Sequence, residues 1–267
     1  MPLKIQSARK AGGKFAAIFS LSAFTAAACA QSTTNPVFAA RAEKAFQQAQ
    51  IQFSAATNDS ALAVQLARTS FDFADFATND TEGADIARTG IAACRQLLAR
   101  EPKSAPAHYY LAMNLGQLAD AEAPSIAAYK LVKEIEREFK TAADLDGTFD
   151  FAGPPRSLGL LYRDAPGWPI SIGSKRKARE WLEYAVKVAP EYPENHLNLA
   201  EACLRWKNRE DAGRELNALD ALWSKAQTNY TGEAWERSWA DWSPRREAAR
   251  KRLEEIAAPA KAPRKIN

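Results

Sequence analysis

SAPAHYYLAMNLGQL (residues 104–118) and YPENHLNLAEACLRW (residues 192–206) share one pattern: a histidine, two residues, then Leu-Ala. His108 leads to Leu111-Ala112 and His196 to Leu199-Ala200, and each leucine follows a proline by nine residues, Pro102 and Pro190. The run RSLGLLY offers the same slot a third time, as Leu158-Gly159 with Tyr162 behind it. A large apolar residue followed by a small one, recurring at a fixed distance from a helix breaker, is the mark of stacked helical pairs.

Outward from these stretches the helical period continues. Apolar residues recur three and four apart in ARTGIAACRQLLAR (87–100), AYKLVKEIEREF (128–139) and AREWLEYAVKV (178–188), and no β-branched runs interrupt them. The pattern predicts an all-α chain of about a dozen helices, separated by Pro, Gly and Asn punctuation.

The repeat can then be written unit by unit. The last, 193–226, sets Leu199-Ala200 and Cys203 on its first helix and Ala212, Leu216 and Leu219 on its second. The third pairs Leu158-Gly159 and Tyr162 with Ala178, Leu182 and Ala185. In the second, Leu111-Ala112 answers Ile135, Phe139 and Ala142, and a first unit ends with Gly90, Cys94 and Leu97 after a helix in ALAVQLARTSF (61–71). Gly159 inside a helix costs about 1 kcal/mol relative to Ala, which predicts a close approach of the paired helix there.

These residues resemble the tetratricopeptide repeat. The resemblance implies an α-solenoid of about four degenerate hairpins, residues 58–226, with capping helices at 31–57 and 227–257. The spacing from first-helix leucine to second-helix small residue is 13 in the last unit, 20 in the third and 24 in the second. It therefore places enlarged connections inside the second and third hairpins. FAARAEKAFQQAQIQFSAA (38–56) forms the leading cap. At the far end Trp235, Trp239, Trp242, Ala249, Leu253 and Ile256 follow helical spacing, with Ser243-Pro244 as a fresh helix start.

Residues 1–30 have the form of an export signal. Lys4, Arg9, Lys10 and Lys14 precede an apolar run from Phe15 to Ala28, too short for the roughly 20 residues of a membrane span. Two processing routes are open: cleavage after Ala30, or lipidation of Cys29, since Ala26-Ala27-Ala28-Cys29 resembles a lipobox with Ala where Leu is usual. The expected location is exported, periplasmic or envelope-anchored in a bacterium.

Without those four cations the 36 basic residues fall to 32, equal to the 32 acidic ones, so charge gives no argument for nucleic acid. Residues 243–267 remain basic, reading as a solvated tail (disordered from 258 to 267) or as contact with an acidic partner or anionic lipid heads. Cys94 and Cys203 stand far apart without CxxC spacing and read as buried thiols. The two histidines, His108 and His196, form no HExxH, and neither GxGxxG nor GxxxxGK[ST] occurs. No enzyme, cofactor or metal is expected.

Read whole, the run 139–202 resembles more specifically the TatT-type T-component of TRAP transporters, a resemblance that covers roughly residues 85–225 and is densest from Phe149 to Ala202. Gly153-Pro154, Arg156, Leu158-Gly159, Tyr162, Ala165-Pro166, Trp168-Pro169, the SIGS turn and Pro193-Glu194-Asn195 carry the resemblance. It implies an envelope lipoprotein partnering a periplasmic solute-binding protein or transporter subunit, with a small apolar ligand passing through the fold as the alternative. For a protein partner the first-helix slots Tyr109, Met113, Arg156, Arg163, Asn198, Glu201 and Arg205 would form the exposed groove. For a ligand, Trp168, Tyr162 and Arg156 would shape its entrance. In APGWPISIG (165–173), two prolines and two glycines forbid a helix. Gly153-Pro154 begins the helix before it, Ser174 caps the helix after it, and Trp168 reads as a wedge against its own repeat or as a contact for a ligand or partner.

Overall fold

The computed structural model describes residues 35–122 and 125–257. Cys29, the remainder of the leader and residues 258–267 lie outside the described residues. Ten helices occur among those described: α1 Pro36–Ala55, α2 Ser60–Ala74, α3 Asp80–Leu98, α4 Ala105–Ala121, α5 Ile126–Leu145, α6 Phe149–Asp164, α7 Lys175–Val188, α8 Pro193–Arg205, α9 Arg209–Asn229 and α10 Glu233–Ala257. Their starts are chemically fixed. The side chains of Asn35, Asp59, Asn79, Ser125, Ser174 and Asn208 each accept a backbone amide of the first turn, an interaction worth about 1 kcal/mol apiece.

Helices α2/α3, α4/α5, α6/α7 and α8/α9 pack as successive hairpins. The first helices also touch in order, α2 on α4, α4 on α6, α6 on α8 and α8 on α10, so the hairpins stack in one continuous series. α1 covers α2 at one end and α10 covers α8 and α9 at the other. Trp235, Trp239, Trp242, Ala249, Leu253 and Ile256 all join the last core cluster, so the cap is apolar where the repeat spacing requires it.

Close approach at the repeat glycine is borne out. A methyl on Gly159 would sit 2.6 Å from Leu182 Cγ and 3.1 Å from the Leu182 amide nitrogen, so α6 and α7 touch there backbone to side chain. Cys94 and Cys203 are free and buried, and burial pushes the Cys203 thiol up to about 11.

Three expectations are corrected. The second hairpin has no enlarged connection: α4 ends at Ala121 and α5 begins at Ile126, and ten of its eleven extra residues lengthen the two helices instead, four in α4 and six in α5. Ser243-Pro244 starts no helix, because α10 runs through it from Glu233 to Ala257. Trp168 does not wedge against its repeat; it stands 88% exposed.

The entry to α6 is unusual. Asp150, Phe151 and Ala152 have φ of 50°, 54° and 63°, one left-handed turn before the right-handed helix begins at Gly153-Pro154. Each non-glycine residue in that conformation costs roughly 1–2 kcal/mol, so surrounding groups must hold it.

Candidate functional site

Those groups come from α6 and α8. Arg156 Nη1 donates to the Phe151 carbonyl at 2.9 Å and to Asn195 Oδ1 at 3.1 Å, and Asn195 Nδ2 donates to the Phe151 carbonyl at 3.1 Å. The Arg156 guanidinium lies over the Tyr192 ring, 5.1 Å from its centre, and the Phe151 ring stacks on Tyr192 with 4.7 Å between centres. Tyr230, Trp235 and Trp242 complete this aromatic group. Gly153 admits Tyr109, whose ring would be 2.9 Å from an added methyl; the Tyr109 hydroxyl donates to Asp150 at 3.3 Å.

One turn further along α8, a second guanidinium is enclosed. Arg245 of α10 donates to both Glu201 carboxylate oxygens, at 3.0 and 2.8 Å, to Asn198 Oδ1 at 2.6 Å and to Asp241 at 2.6 Å. Glu194 lies between the two arginine sites. Burial alone would raise its carboxyl, but Arg156, Arg245 and the Tyr192 hydroxyl together hold it below the usual range. These charges therefore weld α6, α8 and α10.

The remaining inner surface belongs to α2 and α4. Arg68 and Asp72 approach to 3.9 Å across the face that also meets Tyr110 and Asp150. The Asp72 side chain is 41% exposed, yet protein surrounds it on several sides, and that enclosure pushes its carboxyl up to about 6 against the pull of Arg68 and Arg237. Asp120 is pushed up to about 7, by burial first and then by neighbouring Asp75. Asp75 accepts from Gln117 at 2.5 Å and from Arg237 of α10 at 2.6 Å, and the Arg237 guanidinium also lies over the Phe76 ring.

That last pair crosses the molecule. Asp75 ends α2, near the start of the stack, whereas Arg237 belongs to the terminal cap. Arg41 of α1 reaches the same helix, pairing with Glu233 at 2.9 Å and with Glu236. The first half of α10 thus fastens to the opposite end of the stack.

The expected groove residues fare unevenly. Tyr109, Arg156, Arg163 and Asn198 are buried rather than presented. Glu201 is turned into the Arg245 site, and Met113 is half-buried in the first core cluster beside Ser157. Tyr162 is buried and its hydroxyl donates to Glu136, with the Lys177 ammonium over its ring. Arg163 grips Asp164, which also accepts from the partly exposed Arg205 at 2.6 Å. The structure thus gathers Tyr109 and Arg156 at one place and Asn198 and Glu201 at another, with Tyr162, Arg163, Arg205 and Trp168 toward the far end of the hairpins.

Arginines expected in a solvated tail are also engaged: Arg245 as above, and Arg246 and Arg250 with Asp220. The histidines occupy equivalent positions. His108 links Glu138 at 2.5 Å with the Pro102 carbonyl at 3.0 Å, and His196 links Glu215 at 2.9 Å with the Pro190 carbonyl at 2.9 Å. Each ring ties a hairpin to the connection before it. Among the described residues, no group of three His, Cys, Asp or Glu side chains could hold a metal ion, and no helix is long and apolar enough to cross a membrane.

Against known structures, the arrangement has a clear counterpart. The crystal structure of TTC0263, a thermophilic TPR protein in Thermus thermophilus, superposes with a TM-score of 0.55 over 82% of this chain and 91% of that one, at 16% identity. The fold is a tetratricopeptide-like solenoid. No family model matches the sequence, and no curated protein does either. Beyond the stacked hairpins, the ion pairs that tie α10 to Arg41 and Asp75 are a feature that sequence reasoning missed. Its signal was faint: Arg68, Asp72 and Asp75 share one helical face, but nothing in their spacing names Arg237 as partner.

Proposed function

We propose that this protein is an exported interaction scaffold of the bacterial envelope, whose tetratricopeptide-like solenoid receives a protein partner along its concave side. The observation that carries the reading is the concave row of α2, α4, α6 and α8, polar and partly wet around Asp72, with α10 fastened over it by part-exposed ion pairs. Pairs of that kind hold at little energetic cost to opening, since each contributes about 1 kcal/mol or less. A partner that replaces them finds ready-made charges.

The finer reading is a T-component accessory of a TRAP transporter, engaging its solute-binding protein or a transporter subunit. The resemblance across residues 139–202 supports it, and the leader with Cys29 supports delivery to the envelope. Affinity capture from envelope extract, followed by identification of the bound chains, tests the partner; recovery of neither class refutes the transporter role. Fractionation of a C29A variant tests the anchor, which is refuted if the variant stays with the membrane.

A second reading, a conduit for a small ligand, draws on the enclosure that α10 creates. Arg68, Asp72 and Arg237 supply charge there. A small apolar ligand held there would turn a polar end toward those charges. Native mass spectrometry of gently purified protein would show it as added mass, and its absence would leave the scaffold alone.

A further inference from the structure

The connection between α6 and α7 was expected to pack inward and instead projects outward. Trp168 is 88% and Ile170 65% exposed, with Gly167 and Pro169 exposed between and beside them. Exposure of this kind usually accompanies a loose loop, but here the backbone is tied. Gly173 donates to the Pro166 carbonyl at 2.9 Å, Ser174 to the Tyr162 carbonyl at 2.9 Å, and Ile170 to the Gly167 carbonyl at 3.0 Å. Ile172 is packed against the first core cluster, and a methyl on Gly173 would fall 2.0 Å from the Ala165 carbonyl oxygen. The loop is therefore closed at its base and apolar at its tip. A tip held in place loses little freedom when it is buried elsewhere.

The charge behind the tip is one-sided. From Ala165 to Arg179 the chain carries Lys175, Arg176, Lys177 and Arg179 and no acid. Arg179 is engaged with Glu183 and Asp211, and Lys177 leans over Tyr162, which leaves Lys175 and Arg176 outermost. Lys175 lies over the Trp206 ring and Arg176 pairs with Glu180 in the next turn, but both remain exposed, and such contacts exchange readily. Lys175, Arg176 and Lys177 occupy the first turn of α7, where the helix end is itself positive and cations are disfavoured. By contrast, acids open α3, α8 and α9. An external negative surface would offset the disfavoured placement.

We propose that the 165–174 loop is a membrane-interface finger, inserting Trp168 and Ile170 at the head-group boundary of an anionic bilayer while Lys175 and Arg176 meet lipid phosphates. The order of groups matches the order of layers: an amphipathic indole prefers the interface, and cations prefer the charged head groups just outside it. A convex apolar tip on a cationic base fits a fluid surface that closes around it. This inference concerns a different face from the concave one and stands whether or not Cys29 is lipidated.

The test uses full-length protein in a C29S background, so that no lipid anchor contributes. Cosedimentation is measured with phosphatidylglycerol-containing vesicles and with neutral phosphatidylcholine vesicles. The expected result is binding to the anionic vesicles, weakened at least about tenfold by W168S/I170S and reduced to the neutral level by K175E/R176E. Brominated lipids should quench tryptophan fluorescence of the parent and lose that effect in W168F, a variant that keeps an aromatic ring at the tip. Since the tip is exposed, W168S/I170S should retain the parent melting temperature. The proposal is overturned by absence of binding to anionic vesicles, by binding that survives W168S/I170S, or by a photo-crosslinker at 168 that joins a protein partner while vesicle binding is absent.

Discussion

Two glycines inside helices give opposing predictions from one chemical change. In G159A the new methyl meets Leu182 at its branch point, 2.6 Å away, and the Leu182 amide nitrogen at 3.1 Å. Rotating a side-chain end cannot relieve a contact that includes backbone, so α6 and α7 must separate. Overpacking of this kind costs about 1–3 kcal/mol, against about 1 kcal/mol regained from helix propensity. The net expectation is a loss of up to about 2 kcal/mol. In G213A, on α9, the nearest atom is Leu253 Cδ2 at 3.7 Å, an ordinary contact. Propensity then acts unopposed, and stability rises by about 0.5–1 kcal/mol. In a chain of this size each kcal/mol moves the melting temperature by about 2–4 °C, so the two variants should differ by roughly 1–12 °C, read by circular dichroism. The reasoning is refuted if G159A melts at or above the parent, or if both variants shift in the same direction.

Three further outcomes follow from the buried and bridging charges. R245M leaves Glu201 and Asp241 without their cation in a buried site and should cost about 3–5 kcal/mol in urea unfolding. R237A removes a part-exposed pair with Asp75 and a contact with Phe76, so melting should change by the equivalent of about 1 kcal/mol or less while hydrogen exchange in residues 233–241 accelerates. Burial raises the Asp120 carboxyl to about 7, so the folded chain retains a proton that the unfolded chain releases. Stability attributable to this group therefore rises as pH falls from 8 toward 5. D120N should be more stable than the parent at pH 8, with the advantage shrinking toward pH 5, as denaturation at several pH values would show.

Much of the architecture was legible because repeats make local pattern and tertiary contact coincide. Leu158-Gly159 named both a helix face and the approach of Leu182, and the tryptophan spacing of α10 named its buried side. Length differences were less informative. Eleven extra residues in the second hairpin and seven in the third look alike as counts, yet one set became helical turns and the other a loop. Prolines and glycines at 166, 167, 169 and 173 distinguish them, whereas residues 126–145 contain neither. Charges proved hardest to read. Arg156, Asn198 and Arg245 look like surface residues in sequence, and they are buried because partners from other helices satisfy them. Such partners lie 39 to 47 residues away, beyond any helical period.

The bridges from Arg41 and Asp75 to α10 have a consequence for how such an array behaves under stress. A helical repeat array ordinarily has two free ends, and each frays without regard to the other because coupling passes only between neighbours. Joining the first and last helices changes the boundary condition from an open line to a loop. Melting of α1 then removes contacts from α10, and loosening of α10 releases Asp75 and Phe76 at the end of α2. Damage at either terminus is felt at both, so whatever unfastens α10 also reports on the state of the other end.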